Sequence, residues 1–292
     1  MTAWTEVLRP APAPQVPAAV RRPLAAPWLL AAAVAAGACT TTTTTTSTTP
    51  SSEGVGAAPP TPVAEGANAE RRARVRLELA TLYFSRGQTA TALDELRSVF
   101  AANPDLPEAH NLRGLVMASM GDPVQAEQSF KRAIELQPRS GDMLHNYGWF
   151  LCQQRRYEEA DALFERATAL PNYGEVQRTL LARGVCQARA GRWVEAERAL
   201  SRSYELDPSS PVTAFNLSEV LLRRGELDRA RFYVRRINQV PEAITAQSLW
   251  LAARIERRLG NIEGVQDFGR QLRERFPQST ETLQFERGRF DD

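Results

Sequence analysis

Little in this chain points to chemistry. Two histidines, His110 and His145, and three cysteines are spread over 292 residues, and none of them cluster at the spacing of a metal site, so no metal is expected. No glycine-rich loop is placed to cradle a phosphate, and no nucleophile, base and orienting group can be assembled from the motifs present. The reading is therefore of a non-enzyme without cofactor or small-molecule substrate. An excess of one charge is missing too: 36 basic residues stand against 34 acidic ones, a net of +2, which predicts neither a nucleic-acid partner nor an acidic one. Nor is there an uninterrupted apolar run of the roughly 20 residues that a membrane-spanning helix needs. The candidate stretch, Leu24 to Ala38, has 15 residues and is broken at Pro27.

That stretch has another use. Residues 1–23 are rich in Pro and Ala and end in Arg21-Arg22, so the apolar run is positively flanked and 1–38 reads as a signal peptide. Ala36-Gly37-Ala38 then precede Cys39. Small residues before a cysteine resemble the lipobox of bacterial lipoproteins, in which the cysteine is acylated, although Ala36 stands where that pattern usually has leucine. An ordinary cleaved signal is the alternative. By the resemblance Cys39 is lipidated, and Thr40 after it, in place of aspartate, directs the chain to the outer membrane, facing the periplasm. From Cys39 to Asn68 the chain is Thr/Ser-rich and then Pro/Gly/Ala-rich. It has too few large apolar groups to offset its ordering entropy, and a flexible tether is expected.

Beyond the tether a unit of about 34 residues recurs six times over 73–279. Its marker is a small residue at Ala80, Gly114, Gly148, Gly184, Ser218 and Ala253, with intervals of 34, 34, 36, 34 and 35. Twelve places later come Ala92, Ala126, Ala160, Ala196, Ala230 and Val265, and four after those Leu96, Phe130, Phe164, Leu200 and Val234, with Gly269 breaking the rule in the last unit. Two helices approach closely only where side-chain bulk is removed, so these pairs mark the crossing of an antiparallel hairpin. Gly87, Gly121, Gly191 and Gly225 supply the reversal, and Pro104, Pro138, Pro171, Pro208, Pro241 and Pro277 close the units. This is the tetratricopeptide pattern. It predicts an all-α solenoid of six hairpins forming a right-handed superhelix, with a tail, 280–292, that adds a short capping helix through Leu283 and Phe285. In the first unit Leu79, Leu82 and Tyr83 are expected in the core with Leu93, Leu96 and Val99.

Cys152 and Cys186 lie on the first helices of neighbouring units, 34 residues apart. A signal peptide leads to an oxidising compartment, where such a pair can form a disulfide; two buried free thiols are the alternative. The first helices line a concave face suited to an extended or helical segment of a partner. Its expected lining is Leu77, Thr81 and Phe84, then Asn111, Leu115 and Ala118, then His145 and Trp149, with Phe84, Leu115 and Trp149 forming an apolar track. Leu77, Thr81 and Asp142 stand where an array that grips C-terminal carboxylates needs Lys, Asn and Arg.

Local runs narrow the resemblance further. Residues 146–152 (Asn146-Tyr147-Gly148-Trp149-Phe150-Leu151-Cys152), Gly184-Val185-Cys186, the run from Ala196 to Pro208, Ser248-Leu249-Trp250-Leu251 with Arg254-Ile255, Leu259-Gly260, and Leu272 to Pro277 are similar to the type IV pilus biogenesis/stability lipoprotein family, the PilF/PilW pilotins. The resemblance covers about 73–280. It implies an outer-membrane lipoprotein that helps the pilus secretin reach the membrane and multimerise, or that stabilises pilus fibres. A general periplasmic scaffold for envelope or cell-wall proteins is the alternative.

Overall fold

The computed structural model describes residues 62–290, with side chains from residue 68. The signal segment 1–38, Cys39 and most of the expected tether lie outside the described residues. The rest is helical: α1 (Pro62–Ser85) and α2 (Thr89–Ala102), α3 (Pro107–Ser119) and α4 (Pro123–Leu136), α5 (Gly141–Gln153) and α6 (Tyr157–Thr168), α7 (Val176–Arg189) and α8 (Trp193–Leu206), α9 (Pro211–Arg223) and α10 (Leu227–Asn238), α11 (Ala246–Arg258) and α12 (Ile262–Arg275), then α13 (Thr280–Glu286). These are six hairpins and a terminal helix, with no strand among the described residues.

The size pairing in the sequence is what closes each hairpin. A Cβ built on Gly114 would lie 2.7 Å from the ring of Phe130, one on Gly148 3.0 Å from Phe164, and one on Gly184 2.5 Å from Leu200. At these three crossings glycine is needed because the opposing side chain already fills the place of a Cβ, and the packed interior leaves no room for both. In the fifth unit the small residue is Ser218, and its hydroxyl, fully buried, donates to the carbonyl of Ala230 at 2.8 Å. The exception in the sixth unit also has a cause: a Cβ on Gly269 would collide with Phe285 of α13. The terminal helix thus supplies the bulk that the second helix of that unit lacks.

Expected boundaries and cores need three corrections. The first helix begins at Pro62, inside the stretch read as tether; proline is well placed at a helix start and the Ala, Glu and Arg that follow favour the helix. Leu82 is 43% exposed, and the fully buried residues of α1 are Ala73 and Ala80. Among the described residues no unit precedes α1, so a face that inner units bury is left uncovered by them. Leu283 is 46% exposed, leaving Phe285 to cap the array against Trp250 and Phe290.

At the hairpin reversals Gly121 has φ of 78°, but the third unit has no glycine there and Arg155 takes φ of 61°. That conformation costs a non-glycine residue about 1–2 kcal/mol. The next residue anchors it. Arg156 pairs with Glu127 of the preceding unit at 2.7 Å and with Glu159 at 2.6 Å. Partial burial would raise the Glu127 carboxyl, but Arg156, Lys131 and the Tyr147 hydroxyl hold it down to about 2. Between the third and fourth units the expected disulfide is present: Cys152 of α5 and Cys186 of α7 are joined, their Cα atoms 5.8 Å apart.

Candidate peptide-binding face

The first helices α1, α3, α5, α7, α9 and α11 each touch the next, so they build one continuous face. On its first two units the expected residues are accessible. Leu77 and Phe84 are half-buried on the first-unit core. Thr81 is exposed and its hydroxyl donates to the carbonyl of Leu77 at 2.9 Å. Asn111 accepts from the side-chain amide of Asn146 at 3.2 Å, and Leu115 and Ala118 are half-buried beside it.

The third unit departs from expectation. His145 and Trp149 are only 5% and 3% exposed, so neither presents a free surface to a partner. His145 Nδ1 lies 2.9 Å from the Thr179 hydroxyl of the next unit, and its ring meets Phe164 edge-on at 5.9 Å. Trp149 is roofed by Arg189, whose guanidinium lies 5.2 Å from the ring centroid. The apolar track therefore stops at Leu115. The remaining histidine, His110, stacks on Phe100 at 4.7 Å with Nε2 2.9 Å from the carbonyl of Pro104, a packing role.

Burial pushes the His145 imidazole down to about 3, with the Arg178 charge adding to it. The unfolded chain binds a proton there near pH 6.5, so between pH 6.5 and about 3 the unfolded state holds more protons and stability falls as pH falls. Lowering the pH from 7 to 5 should cost about 2 kcal/mol through this residue. In a His145→Gln variant, urea midpoints measured at the two pH values should lose that part of their difference. A difference equal to that of the parent would contradict the assignment.

Cavities were missed from sequence, among them two that border the first helices. One of about 350 Å³ lies between α2 and α3, lined by Leu93, Leu96, Arg97, Phe100, Arg113 and Met117. Another of about 240 Å³ lies between α7 and α9, lined in part by Arg189, Trp193, Glu219 and Arg223. A sequence signal for the second does exist: an arginine stands five places after the crossing residue in each of the last three units, at Arg189, Arg223 and Arg258. Among the described residues no group of three or more His, Cys, Asp or Glu could hold a metal, and no helix is long and apolar enough to cross a membrane.

Tetratricopeptide-repeat family models match residues 77–141, 117–183, and 177–202 with 211–231, together about half of the chain. The chain belongs to the tetratricopeptide-repeat family. Within this repeat family it is homologous to the type IV pilus assembly protein PilF of Pseudomonas aeruginosa, 27% identical over 227 residues that span 78% of this chain and 89% of PilF. Two solved structures agree with that relation. PilW, a widely conserved type IV pilus biogenesis factor, superposes with a TM-score of 0.68 at 28% identity over 72% of this chain and 96% of PilW. Pseudomonas aeruginosa PilF gives 0.67 at 25% identity over 76% of this chain and 99% of PilF. Arrays of this repeat family are common scaffolds, but here the likeness runs through the whole array and not through one or two units.

Proposed function

We propose that this tetratricopeptide-repeat chain acts in type IV pilus assembly as a non-catalytic protein-binding array. Acylated Cys39 anchors it to the outer membrane on the periplasmic side, the chain up to Pro62 gives it reach, and the early groove holds a segment of the pilus secretin or of another pilus-assembly protein. The observation that carries this reading is the likeness to PilF over 89% of that protein's length. The groove consists of Leu77, Thr81 and Phe84 on α1 with Asn111, Leu115 and Ala118 on α3. Half-buried Phe84 and Leu115 are its apolar anchors, and anchors of this kind carry about 2 kcal/mol or more of binding when truncated.

Secretin multimers in outer-membrane fractions, resolved on unboiled gels, test the reading in cells with and without the chain and with Cys39→Ala. Loss of multimers in both is expected. Intact multimers without surface pili would move the role to fibre stability, and intact multimers with normal pili would favour a general envelope scaffold. Phe84→Ala and Leu115→Ala together should weaken capture of purified secretin at least tenfold; unchanged capture would remove the groove from the proposal.

A further inference from the structure

The second half of the array differs from the first in charge. Five places after the crossing residue, units one to three carry Ser85, Ser119 and Gln153, whereas units four to six carry Arg189, Arg223 and Arg258. Arg223, Arg257 and Arg258 are exposed and Arg254 is half-buried, whereas the acids on α7, α9 and α11 are Glu219 and Glu256, the latter buried and paired with Arg235 of α10. The net charge of the whole chain hides this concentration, because acids elsewhere balance it. Glu219 offsets it only in part: it lies 4.0 Å from Arg254, and burial raises its carboxyl against the pull of Arg254 and Arg223.

Among these arginines opens the cavity of about 240 Å³ between α7 and α9. Val185, Leu200 and Val220 form its apolar part, and Trp193, 37% exposed, forms a wall. Its volume is below the roughly 300–1,000 Å³ of small-molecule sites, and suits one large side chain of a longer ligand.

One unit further along, the chain itself shows how such a surface holds a peptide. Phe290, 8% exposed, folds back onto α11, with its ring 4.9 Å from Trp250 and the Arg257 guanidinium 4.4 Å above it. Its carbonyl accepts from Arg254 Nε at 3.2 Å. An aromatic side chain held among arginines is thus a ligand chemistry that this face already accommodates. Arginine suits it because the guanidinium both stacks on rings and binds carboxylates.

We propose that the first-helix face of units four and five docks an extended acidic segment of a partner protein, seating an aromatic side chain in the cavity between α7 and α9 with flanking carboxylates on Arg189 and Arg223. Packed helices lie about 8–10 Å apart and an extended chain advances about 3.3 Å per residue, so the two carboxylates are about three residues apart in the partner. This site is separate from the early groove, and its test uses no pilus component, so the two readings fail independently.

The test is fluorescence anisotropy on the full chain in detergent with a labelled Gly-Asp-Phe-Asp-Asp-Gly peptide and its Gly-Lys-Phe-Lys-Lys-Gly counterpart. The acidic peptide should bind saturably and at least tenfold more tightly than the basic one. Arg223→Glu, at an exposed position and with circular dichroism confirming that the variant is folded, should weaken the acidic peptide at least tenfold and strengthen the basic one. Equal binding of the two peptides, or an acidic-peptide affinity within twofold of the parent in Arg223→Glu, would overturn the proposal. So would phosphatidylglycerol vesicles that bind the parent but not Arg223→Glu and displace the peptide, which would make the surface a lipid-headgroup site.

Discussion

Replacing Phe164 with alanine should cost about 3–5 kcal/mol, the range for deleting a fully buried aromatic ring when the structure cannot collapse into the space. Collapse is blocked here from both sides. The ring is fully buried on α6 and rests against Gly148 of α5, where even a Cβ would lie 3.0 Å away, and His145 meets its edge. Glycine has no side chain to move into the hole, and His145 is held by Thr179 of the fourth unit. The third unit also sits inside the array, and repeat proteins are stabilised mainly by nearest-neighbour interfaces. Weakening it should therefore split unfolding into two transitions, one on either side. Urea titration followed by circular dichroism, with amide exchange to locate the weakened segment, reads both effects. Val124→Ala, at a side chain 63% exposed, serves as the control and should stay within about 0.5 kcal/mol. A loss below about 1.5 kcal/mol for Phe164→Ala, or a single unchanged transition, would refute the argument.

That pairing was legible in the sequence because it is local. Gly148 and Phe164 are 16 residues apart, within one hairpin, and the helical period alone puts them on facing surfaces. Contacts between units were harder to read. The repeat places Trp149 on the first-helix face, but whether the ring stays open depends on Arg189, 40 positions later and in the next unit. His145 is covered in the same way through Thr179 and Phe164. Position within a repeat tells which way a side chain leaves its helix; the length of the neighbour's side chain decides whether it is covered. The two ends of the array were unclear for a related reason. Leu82 has helical spacing suited to a core, yet among the described residues no earlier unit buries it. Gly269 looked like decay of the repeat until Phe285 of α13 supplied the missing volume. The arginines of the last three units were visible as letters, but their meaning came only with the cavity between α7 and α9 and with Phe290 lying among their neighbours.

Loss of the Cys152–Cys186 bridge should lower stability by about 3.8 kcal/mol in the chain-entropy account of a loop of this length. For an array of this size that corresponds to a fall in melting temperature of about 8–15 °C. The bridge also acts at the one junction where the repeat loses its step. The crossing residues Gly148 and Gly184 are 36 apart while the two cysteines are 34 apart, so the bond joins non-equivalent places on α5 and α7. The extra length passes through Pro171-Asn172-Tyr173, where Asn172 has φ of 63° and the Tyr173 ring packs against Gly141. A longer connection leaves the register of the fourth unit on the third less constrained, and the disulfide restores that constraint. Both cysteines are nearly fully buried, so alanine replaces them without leaving a polar hydroxyl in the core. The Cys152→Ala/Cys186→Ala variant should melt lower than the parent without reductant, dithiothreitol should lower the parent to nearly the same temperature, and the variant should not respond to it. Amide exchange should show the added opening at the α5–α7 junction, with the first two units unchanged. If the parent melts within about 2 °C with and without dithiothreitol once mass spectrometry shows the bond reduced, packing and the Tyr173 contact hold this register and the covalent link adds little.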